Sequence, residues 1–298
     1  MSLVQAGRES ADAPLSGKTG IALWTIPLFQ DWKSRNLEAG AFEMDLDGSL
    51  GGLSLGADYT FEAAVRAGLA FHVGNGRMRS EGNLNATEND SRFWGLGAYA
   101  GWASGAFSLS ADAHYTRTDN KVQQALPAAL DMGDLRGDIH ANAVSAGLRG
   151  EYVFATQWLD ITPHLGVRYT RLHTAQHDLG SAGLSVLEGE SIKQDIWAFP
   201  VGLSFSRDFQ HGEAWLRPLL DLTIIPYAGD TEAWSVVRFS GVDAAAGMST
   251  RVLDSVTYGG QIGLEAGNSK VNLGVRYGLQ MGEHSTRHGV FASFRYAF

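Results

Sequence analysis

Cysteine is absent from all 298 residues, which excludes disulfides and thiolate metal sites. Long apolar runs are absent too. The longest approach to one is residues 21–29, "IALWTIPLF". That is about half of the ~18 apolar residues that a membrane-spanning helix requires. Clustered basic residues are missing and the net charge is −9, so phosphate-rich nucleic acid is not an expected partner. The first residues, "MSLVQAGRESADAPLSGK", carry no apolar core of a secretory signal. If the protein is exported, the leader has been lost or the chain was cut from a longer precursor. Proline is scarce at 7 residues, whereas glycine reaches 37. One membrane architecture survives these exclusions: a β-barrel, in which only alternate residues face lipid.

Alternation is what the sequence has in quantity. The chain ends "GVFASFRYAF", with Val290, Ala292, Phe294, Tyr296 and Phe298 in one row. Soluble domains usually fray at their ends into polar residues. In "RFWGLGAYAGWASG", Trp94, Leu96, Ala98, Ala100 and Trp102 share a face, and Gly95, Gly97, Tyr99 and Gly101 share the other. A face that begins and ends with tryptophan is the aromatic girdle expected at two water–lipid interfaces. The same period of 2 recurs from Phe107 to Thr116, from Leu159 to Thr170 and from Val271 to Met281. These segments match the ~9–11 tilted residues that cross a bilayer, and exceed the five or six usual in soluble proteins.

The links between segments alternate in length. Tight links are expected near residues 59–62, 103–105, 154–157, 207–212 and 267–269. Long polar links are expected near 30–41, 75–91, 119–136, 174–189 and 228–250, with a shorter one at 282–286. Eleven links imply twelve strands, with short turns at one end and long, extracellular loops at the other. The expectation is therefore an all-β, transmembrane, twelve-stranded antiparallel barrel of the outer-membrane type. An even strand number puts both termini at the periplasmic end. The inward rows carry Arg66, Asp112, His114, Arg168, Arg217, Asp221, Glu265, Arg276 and Arg295, which are the candidate pore-lining residues.

Four stretches, taken together, resemble a known family. They are "GGLSLGADY" at 51–59, "LRGEYVF" at 148–154, "ITPHLGVRYTRL" at 161–172 and the closing "FRYAF". In order, spacing and terminal position they are similar to the translocator domain of autotransporters, the type V secretion system. The resemblance implies a Gram-negative outer-membrane protein that secretes an upstream passenger, with a linker helix through the pore. It also implies that the barrel-assembly machinery reads the aromatic terminus, here Phe294, Tyr296 and Phe298. Lipid-facing packing of these side chains is compatible with that role. The expected partners are outer-membrane lipid and lipopolysaccharide, the assembly machinery, periplasmic chaperones, and the chain's own passenger and linker; a monomer is expected. Residues 1–19 are expected to be a residual linker and residues 20–298 the barrel. Relatives that cut their own linker use paired asparagines, but here no asparagine precedes Asn36, so that activity is not carried over. The alternative reading is a small passive outer-membrane channel or porin.

Catalytic chemistry finds little footing. Gly52, Ser54 and Gly56 match the G-x-S-x-G pattern, but that elbow works only on a strand-to-helix turn, and these residues sit inside an alternating strand. His173 and His177 are four apart but lack the glutamate of a zincin: Thr174 stands in its place. His140, Asn142 and Ser145 are near one another, yet parity puts Ser145 on the opposite face. The expectation is no catalytic, metal or cofactor site.

Overall fold

The computed structural model describes residues 19–39, 42–62, 64–82, 87–125, 133–240, 245–251 and 253–298. Twelve wall strands follow one another in a single antiparallel sheet. They are β1 Gly20–Ala39, β2 Phe42–Thr60, β3 Val65–Gly82, β4 Thr87–Ser104, β5 Phe107–Gln124 and β6 Leu135–Tyr152. Next come β7 Asp160–Thr174, β8 in two halves Ile192–Ala198 and Val201–Ser206, and β9 Ala214–Gly229. The last three are β10 Val256–Gly267, β11 Val271–Met281 and β12 Ser285–Ala297. β12 pairs with β1 from Ala22 opposite Ala297 to Ser34 opposite Ser285, so the wall closes on itself. Among the described residues, closure leaves the twelve-stranded wall without an edge strand, as a lipid environment demands.

The break in β8 has a local cause. Pro200 has no N–H to give the ladder. The neighbouring strands bridge the gap: Phe199 N donates to the Pro226 carbonyl at 2.9 Å, and Gly166 N donates to the Pro200 carbonyl at 2.8 Å. At the short-turn end the links are tight. Between β4 and β5 only Gly105 and Ala106 turn the chain, and Gly105 takes the positive φ of 59° that such a turn needs.

The expected long polar links are mostly not loops. β1 through β5 run 18 to 20 residues, well beyond the bilayer. Residues 30–39, 75–82, 87–91 and 119–124 all lie in paired strand. Beyond the lipid both faces meet water, so apolar alternation disappears while backbone pairing continues. Pattern reading therefore loses the strand where the ladder does not. Two further links are hairpins: His177–Ser181 with Leu184–Gly189, and Glu232–Phe239 with Ala245–Arg251. The hairpins pair with each other through Leu187 opposite Phe239 and Gly189 opposite Val237.

The outside of the barrel is apolar. Leu69, Leu165, Ile262 and Val275 are among its most exposed side chains, Leu69 at 69%. Exposure on this scale to water would be an aggregation liability rather than a soluble surface. Trp94 and Trp102 both point outward, eight residues apart on β4. That spacing spans about 27 Å along a strand before tilt. Tyr115 meets Trp94 edge to face, and Phe107 meets Trp102 in the same way, which widens each aromatic belt.

Candidate functional site: the barrel lumen and its closure seam

Inward positions alternate with this apolar row, and their polar side chains are grouped. The first group bridges the seam between β12 and β1, near the short turns. Asp58 of β2 accepts hydrogen bonds from both terminal nitrogens of Arg295 of β12. It also accepts one from the Tyr99 hydroxyl of β4 at 2.7 Å. Trp24 Nε1 of β1 donates to the same hydroxyl at 2.6 Å. Arg66 Nε of β3 lies 3.6 Å from Asp58 and donates to Thr60 Oγ1 at 3.3 Å. Asp58 is fully buried, and Arg66 is 2% exposed.

Glycines make this packing possible. A Cβ at Gly56 would stand inside the Trp24 ring, and one at Gly68 would strike the Tyr99 ring. His72 lies over Gly95 and His114 over Gly97 in the same way. The glycine rows of β2 to β4 are seats for inward rings.

A second group joins β5 to β7. Arg168 Nη2 donates to Asp112 at 2.7 Å, and His114 Nε2 stands 3.4 Å from the same carboxylate. His72 meets Thr116 Oγ1 at 2.8 Å. A third group centres on Asp221 of β9, which faces His164 Nε2 at 2.8 Å and accepts from Ser204 and Thr223 at 2.5 and 2.6 Å. The fourth links Arg276 of β11 to Glu265 of β10, with Arg217 of β9 4.0 Å from Glu265 and bonded to Asp208. All nine charged candidates thus sit on the inner row, distributed among four groups rather than one ring. Asp58, Tyr99, Trp24 and His164 complete these groups but were not among the candidates. Strand parity was the available signal for Asp58, which shares a row with Ser54 and Gly56.

The other motifs resolve simply. Ser54 is buried inside β2, opposite Ile26 and His72, with a strand on each side. His173 ends β7, whereas His177 opens a loop hairpin with its ring over Gly189. His140 pairs outside with Asp119 at 2.7 Å, and Ser145 is buried on the inner row. At the long-loop end, Asp254 accepts from His284 N at 3.1 Å and faces His284 Nδ1 at 3.0 Å. Ser285 Oγ donates to the same carboxylate. Burial works against the charge of Asp254, but these hydrogen bonds outweigh it and hold its pKa below the ordinary carboxylate value.

Phe294 and Tyr296 share the outward row of β12, and Phe298 continues that row just past the strand's end. Tyr296 and Phe298 meet edge to face at 5.0 Å, and Phe298 N donates to the Ile21 carbonyl at 3.0 Å. The last residue is therefore part of the closure ladder.

A family model described as the autotransporter beta-domain matches residues 28–278. The chain belongs to this family. Among solved structures, the translocator domain of the autotransporter NalP from Neisseria meningitidis is similar at a TM-score of 0.72 and 18% identity. That alignment covers 99% of this chain and 93% of the other. The beta domain of the Bordetella autotransporter BrkA gives 0.68 at 17% identity, over 94% of this chain and 100% of that one. The transport unit of AIDA-I from Escherichia coli gives 0.68 at 14%, over 99% and 98%. Among curated proteins, no sequence matches the chain. This autotransporter beta-domain is an outer-membrane translocator of a Gram-negative cell. Membership implies a passenger domain, and it places the barrel in a bilayer.

Proposed function

We propose that this barrel brings a passenger encoded N-terminal to it across the outer membrane, through its own lumen, to the face that carries the long loops. The supporting observation is a closed wall, apolar outside, whose inner rows carry polar and charged groups away from one buried apolar cluster at the seam. A hydrated polypeptide can slide past such a lining without dry apolar contact. Residues 1–19 act as linker, and residues 20–298 as the translocating domain. Arg168, Asp221, Arg217, Glu265 and Arg276 line the passage, and Asp112, His114, Arg66 and Arg295 brace its wall from buried inward positions. The barrel acts by transport and not by catalysis, without a cofactor, and as a monomer. Periplasmic chaperones deliver it, the assembly machinery reads Phe294, Tyr296 and Phe298, and lipopolysaccharide packs on its outer row.

The test is a small unfolded reporter fused before Gly20 behind a signal peptide. The reporter should become sensitive to protease added to intact cells. A reporter that stays protected while the barrel inserts normally would overturn the translocator reading in favour of a passive channel.

A further inference from the structure

The inside of the barrel is filled on one side. Trp24 and Ile26 of β1, Ala70 of β3, Tyr99 of β4 and Phe291 of β12 form a buried apolar cluster, with Leu28 packed against it. The seam ion cluster joins it through Trp24 and Tyr99 and is equally shut, with Asp58 at 0% and Arg66 at 2% side-chain exposure. The opposite wall is different. Inward positions there include Gly259, Gly278 and Gly289, and they border a cavity of about 350 Å³. The cavity lining comes from β6 to β12, the Leu253 link and Gln30 of β1. Towards the short turns the same wall stays open to water, since Arg217, Glu265 and Arg276 keep 16–23% of their side chains exposed.

The charge on this open side is unbalanced. Among the described residues, Arg149, Arg168 and Arg287 line the cavity, against Asp221 as the one lining acid. Asp112, the partner of Arg168, and Glu151, the partner of Arg149, are not part of the lining. A cleft with low-dielectric walls and one sign of charge concentrates the opposite ion.

We propose that the barrel's conduit is off-axis: it follows the β6–β12 wall and prefers anions, with Arg149, Arg168 and Arg287 setting that preference. The proposal rests on the barrel alone, so a reporter that fails to reach the cell surface would leave it standing.

The absence of native cysteine makes every introduced thiol unique. The 298-residue chain is inserted in planar bilayers as Thr223→Cys and Thr170→Cys on the open side, and as Ala70→Cys and the near-isosteric Ser54→Cys on the filled side. Size-matched anionic and cationic methanethiosulfonate reagents are then applied. Current should fall several-fold at positions 223 and 170 and hold steady at 54 and 70. The anionic reagent should react at least about tenfold faster at position 223, and Arg287→Gln in that background should bring the ratio to within a few-fold of one. Equal block from the filled side, faster cationic reaction, a ratio indifferent to Arg287→Gln, or no current from folded and inserted barrels would each overturn the proposal.

Discussion

Replacing Asp58 with alanine should be among the most damaging single changes to this barrel. The side chain is fully buried and binds Arg295 through two hydrogen bonds, with the Tyr99 hydroxyl at 2.7 Å and Arg66 at 3.6 Å. Its removal leaves two buried guanidiniums facing each other without a counter-charge. Breaking a buried pair in this way costs about 3–5 kcal/mol. Arg295 belongs to β12 and Asp58 to β2, so the loss falls on the two sides of the closing strand β1. Urea unfolding from lipid vesicles, followed by tryptophan fluorescence, measures it. With a slope of ~1–3 kcal/mol per molar urea, the midpoint should fall by about 1 M or more. Arg295→Leu should also destabilise, and the double variant should cost less than the two singles summed, by about 0.5–3 kcal/mol. The exposed pair Arg77–Asp90, 2.9 Å apart, is the control, and Asp90→Ala should change nothing measurable. A cost below about 1 kcal/mol for Asp58→Ala, or strict additivity, would mean that water reaches the cluster and compensates it, contrary to the reasoning from burial.

Leu220 faces lipid and Gln280 faces the lumen, where it donates to Thr257 at 2.6 Å. Leu220→Arg should therefore cost about 2–4 kcal/mol in refolding into lipid and Gln280→Arg less; equal tolerance would reverse the inside–outside assignment. Gly56→Ala would drive Trp24 from its seat against Tyr99 and should cost about 1–3 kcal/mol, with a change in near-ultraviolet circular dichroism reporting the displaced indole. Deleting Phe298, or changing it to Asp, should impair assembly in cells more than refolding in detergent, and matched losses in both would leave Phe298 a purely structural residue. The lowered pKa of Asp254 has a pH consequence. Because the folded value lies below the unfolded one, its stabilising contribution is present above about pH 4 and is lost as pH falls through the folded value. Thiol labelling of a Ser255→Cys variant should accelerate in acid relative to a model thiol, and a flat relative rate would show that the link holds without the charge.

A period of 2 reveals which face a residue occupies, and that much of the barrel was legible from end to end. The outward rows of Trp94 to Trp102 and Val271 to Met281, the twelve-strand count and the inner parity of Arg66, Asp112 and Arg295 all follow from alternation and link length. Alternation has no information about neighbours along the hydrogen-bonding direction, because that depends on register and closure. Arg295 meets Asp58 across 237 residues of sequence only because β12 returns to β1. Arg168 meets Asp112 across 56 residues because β6 pairs with both β5 and β7. The continuation of β1 to β5 past the lipid was invisible for a related reason: the backbone ladder persists where the hydrophobic contrast that marks it has ended. The filling of one side of the lumen by Trp24, Tyr99 and Phe291, and the open, arginine-lined side opposite, came from tertiary structure alone. These residues are far apart in sequence, and only the curvature of the closed wall brings the large side chains together and leaves the glycines facing space.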